Sequence, residues 1–227
     1  MAGRFVTETG KGKLILVHGL WMNRIAMRPL ARHLTEEGFA VERFGYASCR
    51  SSLDHNTAAL ADALRVAHAT PGPVHVLGHS MGGVVALSAC LAAGAPTDGS
   101  PMRLVMLGSP YQGSHCASTL SQVPFLSPIF GHSLPEWLAR PLPTLPDWLE
   151  VGVISGNLAH GLGRFFVPSL PEPNDGVVAV NETVVPGARD TLCLEVSHMG
   201  MLVSEACAHQ AGHFFEHGRF LHEEPNG

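Results

Sequence analysis

The sequence predicts an α/β fold, a mostly parallel central sheet with helices on both of its faces. Three observations predict it. Apolar runs of strand length recur along the chain, segments of helical period separate them, and most of the runs are apolar at successive positions, as strands covered on both faces must be. With 227 residues and 45 % hydrophobic side chains, the chain is expected to form a single domain, 1–227, with a substantial core. No repeat of solenoid or propeller period interrupts the alternation.

The elements follow in order. KLILVHG is a buried strand ended by Gly19. RIAMRPLARHLTEEG places Ile25, Leu30, Ala31 and Leu34 near helical spacing and stops at Gly38. FAVERFGYA alternates apolar and polar positions and reads as a second strand. DHNTAALADALRVAHA is helical, with Leu60, Leu64 and Ala67 on one face. PVHVLGHS is a strand that runs straight into the helix SMGGVVALSACLAAG. MRLVMLGSP, LEVGVISGN and RDTLCLEVS supply further strands, and a closing helix begins near Ser204.

One segment departs from the alternation. About 38 residues, 111–148, separate two strands and carry Pro124, Pro128, Pro135, Pro141, Pro143 and Pro146. Connections of that length are functional or disordered, and Phe125, Leu126, Ile129, Phe130, Leu134, Trp137 and Leu138 argue for order. Two readings stand: a proline-ordered excursion packed on the core, or a short lid-like insertion forming an apolar wall over a site.

The chemistry is concentrated in Gly78-His79-Ser80-Met81-Gly82-Gly83, a G-x-S-x-G pattern between a strand and a helix. A serine on so sharp a turn needs glycines two positions away, and the turn lifts its hydroxyl clear of the sheet. The helix N-terminus beneath it favours developing negative charge. Acyl transfer through Ser80 also needs oxyanion donors. The Met81 N–H is one, and the Leu20 N–H, in the loop after the first strand, is assigned as the second. His18 is expected to shape that loop rather than act as a base.

Base and acid should follow in the order Ser, Asp, His. His198 stands in LEVSHMGML just after the last strand, whereas His209, His213, His217 and His222 fall in or beyond the closing helix. Asp175 in PEPNDGVVAV suits the acid. Asp190 starts a strand at the opposite end from the active face, and Asp147 precedes its strand. Trp21, Phe125, Phe130 and Trp137 are the candidate substrate-binding side chains.

The set VHGLW, GHSMGG, NDGVV and SHMGML resembles the α/β-hydrolase superfamily, in particular small lipases and GPI inositol-deacylase-like lipases. The resemblance runs from about Lys13 to Phe220. It implies an α/β-hydrolase fold, a Ser80–Asp175–His198 triad with Leu20 and Met81 as backbone donors, and hydrolysis of an acyl ester or lipid without cofactor or metal. A thioesterase or acyltransferase on the same triad, or a silent binder of hydrophobic ligands, are the alternatives.

Other signals carry less. His213-x-x-Glu216-His217 matches an inverted zinc-peptidase pattern but has no convincing further ligand downstream; a solvated helix face is expected. GKGK near Lys11 lacks P-loop spacing. A net charge of -5, from 14 basic and 19 acidic residues, argues against a nucleic-acid partner. The longest apolar stretch, VVALSACLAAGA, is too short to cross a bilayer, so no integral membrane association is expected. No apolar leader region precedes the first strand. Cys49, Cys90, Cys116, Cys193 and Cys207 are an odd set without paired spacing and are read as reduced, which points to the cytoplasm. The sequence leaves the oligomeric state open.

Overall fold

The computed structural model describes residues 10–121, 132–160, 167 and 169–222. Six strands, β1 (Lys13–Val17), β2 (Ala40–Phe44), β3 (Val74–His79), β4 (Met102–Leu107), β5 (Leu149–Gly156) and β6 (Asp190–Leu194), form one sheet in the order β2-β1-β3-β4-β5-β6. Every neighbouring pair is parallel. Six helices accompany them among the described residues: α1 (Arg28–Glu36), α2 (Leu53–His68), α3 (Met81–Ala93), α4 (His115–Ser121), α5 (Ser133–Leu138) and α6 (Glu205–His217).

Strand alternation divides the core into two layers. Ile15 and Val17 of β1 face a cluster with Leu60 and Leu64 of α2 and Val84 and Leu87 of α3. Leu14 and Leu16 turn the other way, toward Leu30 and Leu34 of α1 and Phe214 and Phe215 of α6. Helices therefore cover both faces, and the near-continuous apolar runs of the inner strands β1, β3, β4 and β5 follow from that. Each fully buried leucine contributes about 2 kcal/mol through removal of apolar surface from water.

The helix expected from Arg24 begins instead at Arg28. Asn23 Oδ1 accepts the Ile25 N–H at 2.8 Å, and the Ala26 and Arg28 N–H groups each reach back three residues, to Asn23 and Ile25. These turns occupy residues 23–28, and Pro29 in the first turn of α1 spends no N–H there. The closing helix starts where expected: Ser204 caps it by accepting the Cys207 N–H at 3.2 Å, and Gly218 ends it at φ 68°.

Within 111–148, α5 is tied to the start of α2. Glu136 Oε2 accepts the Leu53 N–H at 2.7 Å, one of the donors a helix start leaves unpaired. Asn56 Nδ2 donates to Ser133 Oγ at 3.0 Å, and Arg140 forms two bonds to the Asp54 carboxylate. The Trp137 ring sits in the α2–α3 core layer.

His75 on β3 is buried and stacks on Phe215 at 5.4 Å. Burial first, then the positive Arg103 and His68 when charged, push its pKa from 6.5 down to about 3. Between those values the unfolded chain binds a proton that the folded protein refuses, so the His75 term lowers stability as pH falls through this window. Urea titrations at pH 7 and pH 5 should give His75→Phe a shallower loss of stability than the wild type, by about 1 kcal/mol per pH unit. Equal slopes would remove His75 from the acid response.

Candidate active site

The strand register brings the candidate residues to one edge. Val17 lies opposite Gly78, His79 opposite Leu107, and Leu107 opposite Ile154. The loops that leave the carboxyl ends of β1, β3, β4 and β5 are therefore neighbours, which is where open parallel sheets bind their ligands.

Ser80 sits between β3 and α3 at φ 55°, ψ -130°. Its N–H donates to Leu107 O at 2.8 Å, and its carbonyl accepts the Gly83 N–H at 2.9 Å. The turn is thus pinned on the strand side and on the helix side. A Cβ on Gly78 would overlap Gly83, and one on Gly82 would overlap the His18 carbonyl. The first turn of α3 lies directly on the ends of β1 and β3 for that reason.

The β1 loop passes beside Ser80: a Cβ on Gly19 would stand 3.0 Å from Ser80 Cβ. His18 at its base is fully buried. Its ring stacks on Tyr46 at 4.4 Å, Tyr46 Oη donates to His18 O at 2.9 Å, and His18 Nδ1 donates to Gly19 O at 2.9 Å. Burial lowers the His18 pKa, against the opposing pull of its hydrogen bonds to Gly19 and Tyr46. Neither the Leu20 nor the Met81 N–H meets an acceptor among the described residues. Trp21 follows at φ 57° and is 61 % exposed. Trp21 and Ser80 are the only non-glycine residues with positive φ among the described residues, and strain of this kind collects at functional sites.

Asp175 and His198 are brought together. His198 Nδ1 lies 2.7 Å from Asp175 Oδ2, and the His198 N–H donates to Asp175 O at 2.9 Å. The other carboxylate oxygen, Oδ1, accepts the Val177 and Val178 N–H groups at 2.9 and 2.7 Å. Both groups are buried. An ionised carboxylate only accepts, so Nδ1 carries the proton and Nε2 is left with a free lone pair. Asp190 lies elsewhere, accepting the Phe220 N–H at 2.7 Å and facing His222 Nε2 at 2.9 Å. Asp147 borders a groove of about 520 Å³ at the amino end of β5, with Glu150 and Arg189.

Of the four candidate substrate contacts, Phe125 and Phe130 lie outside the described residues. Trp137 is 4 % exposed, and its indole N–H donates to Tyr111 O at 3.1 Å. Of the two described candidates, Trp21 is the exposed one, in the loop beside Ser80. Sequence reasoning missed three supports. Tyr46 comes from the end of β2 and carries no motif. Glu182 is buried, which pushes its carboxyl up, and it accepts the Ala179 N–H at 2.8 Å and the His115 N–H that opens α4. His79 was legible only as a histidine inside an apolar strand, beside Ser80.

The His213 and His217 rings lie 4.4 Å apart on α6, tilted at 48°, and His213 Nδ1 donates to Arg219 O. Among the described residues no group of three or more His, Cys, Asp or Glu is arranged to hold a metal ion.

A serine held on a strained strand-to-helix turn, at the carboxyl edge of a six-stranded parallel sheet wrapped by helices, defines the α/β-hydrolase class. The chain belongs to the Alpha/beta hydrolase family, which it matches over residues 14–225. No curated protein sequence matches it significantly. Similar solved structures include the mature form of the Bacillus licheniformis lipase BlEst2, at 19 % identity and a TM-score of 0.66 over 84 % of this chain and 86 % of that one. Phospholipase PlaB from Legionella pneumophila is 16 % identical at a TM-score of 0.64, over 92 % of this chain and 58 % of that one. RedJ, a thioesterase of the prodiginine pathway in Streptomyces coelicolor, is 14 % identical at 0.58, over 89 % and 85 %. At these identities the likeness is one of fold.

Gly108, at φ 52°, adjoins the buried pair: a Cβ there would lie 2.9 Å from Asp175 Oδ2 and 3.2 Å from His198 Nδ1. Gly108→Ala is expected to displace the pair and erase the low-field proton resonance of the His198 Nδ1–H. A resonance unchanged from wild type would mean the methyl group is accommodated.

Proposed function

We propose that the protein is a serine hydrolase that cleaves carboxylic esters, lipase-like in substrate, through an acyl-enzyme. The reading is carried by the 2.7 Å bond of the buried Asp175–His198 pair at the edge where Ser80 stands on its turn. Ser80 is the nucleophile, His198 the base, and Asp175 the acid that holds the imidazole tautomer.

Ser80 Oγ attacks the ester carbonyl while its proton passes to His198 Nε2. The tetrahedral oxyanion takes hydrogen bonds from the Leu20 and Met81 N–H groups, each contributing about 3 kcal/mol. Collapse breaks the carbon–oxygen bond to the alcohol, which leaves with the proton from Nε2. Water then gives a proton to Nε2, attacks the acyl carbon, and releases the acid as Ser80 regains its hydrogen. The low charge content and the exposed Trp21 beside Leu20 favour an apolar acyl chain, with Trp21 as its contact.

The whole chain, 1–227, is read as one domain with 111–148 as an insertion. Five free cysteines support a reducing, cytoplasmic setting. Among the described residues no helix is long and apolar enough to cross a membrane. The same groups would serve a thioester, and the fold shared with the RedJ thioesterase makes that the second substrate class to assay.

Hydrolysis of p-nitrophenyl esters from acetyl to palmitoyl tests the reading. Ser80→Ala is expected to abolish turnover with the fold intact. Asp175→Asn should lower kcat by about three to four orders of magnitude, and Asp190→Asn should leave it near wild type. Substantial turnover by purified Ser80→Ala would sink the assignment, and the reverse ranking of the two aspartates would move the acid.

A further inference from the structure

His79 ends β3, immediately before Ser80, and is fully buried. Its Nε2 lies 2.9 Å from His198 O, and its ring sits 4.6 Å from the His198 ring at 47°. A carbonyl oxygen only accepts, so Nε2 must carry the proton and Nδ1 a lone pair. That Nδ1 is buried without a partner among the described residues and lies 3.3 Å from where a Cβ on Gly19 would stand. The ring is therefore wedged between the β1 loop and the loop that carries His198. Leaving a buried polar atom unpaired is costly, and such atoms call for an explanation.

We propose that His79 is a positioning residue for the base: its Nε2–H holds the His198 carbonyl and its ring backs the His198 imidazole. This rests on the reading of Ser80 and His198 as nucleophile and base. His198 has two ties to Asp175, through its N–H and its Nδ1. The third tie comes from the residue next to the nucleophile, so the separation of nucleophile and base is set within one short stretch of chain. Burial, reinforced by His198 and His18 when they are charged, pushes the His79 pKa down to about 3. A neutral neighbour lets His198 take the Ser80 proton without facing a second positive charge.

The test compares wild type, His79→Phe and His79→Gln by ester hydrolysis and by the rate of labelling with a fluorophosphonate. In labelling, the Ser80 Oγ–P bond forms, fluoride leaves, and the hydroxyl proton passes to His198. Phenylalanine keeps the ring without the donor; glutamine keeps an amide N–H that reaches the same carbonyl. His79→Phe is expected to lose about ten- to a hundredfold in kcat and labelling rate with KM within about twofold, and His79→Gln to stay within roughly threefold of wild type. Thermal unfolding of each variant separates positioning from stability. Wild-type rates in His79→Phe, or equal losses in both variants that track their melting temperatures, would overturn the proposal. A wild type that does not label would instead overturn the reading of Ser80, and this inference with it.

Discussion

The backbone of Ser80 at φ 55° is the constraint on which the rest of this structure depends. A serine in that region costs on the order of 1–3 kcal/mol and persists only where its surroundings over-determine it. Here they do. The Leu107 carbonyl takes its N–H, the Gly83 N–H takes its carbonyl, and the buried helix α3 leaves from the turn with no room to rotate. The glycines on either side exist because the helix touches the β1 and β3 backbones at that point.

Everything else at the edge is arranged around that turn by strand order. Placing β1 beside β3 lays the His18-Gly19-Leu20 loop against Ser80, and placing β5 and β6 beyond β4 lets their loops return toward it. Asp175 is held rigidly by its own turn, with Oδ1 on two backbone donors and Oδ2 left for His198. Burial pushes the pKa values of His18 and His79 down, that of His79 to about 3, and the His79 ring lies against His198. The hydrolase reading draws on this combination of a strained serine, an oriented imidazole and two backbone donors without acceptors among the described residues.

Much of this was legible from residue order. Strands β1, β3, β4 and β5 were visible as short apolar runs because strands covered on both faces need apolar side chains at successive positions, whereas β2 was visible by its alternation. Asp175 and His198, 23 positions apart, are in contact. Asp190, weighed against Asp175 in the sequence, faces His222 instead. The start of α1 was misjudged because Ile25 fits a helical spacing while Asn23 locally favours turns. Trp137 reads from sequence as one of several apolar residues in a proline-rich segment; only the docking of α5 on α2 puts it in the core.

What the sequence determined by itself is what depends on neighbours in the chain: strand and helix periods, the glycines of the turn at Ser80, the Asp-Gly turn at 175–176 and the caps of the helices. Tertiary structure decided what depends on residues distant in the chain. Tyr46 supports His18, Glu182 holds the start of α4, and His79 reaches the carbonyl of His198 across 119 positions. The physical reason is that hydrogen bonds and ring contacts of this kind require orientation as well as proximity. Orientation appears only once the sheet order has fixed which loops meet.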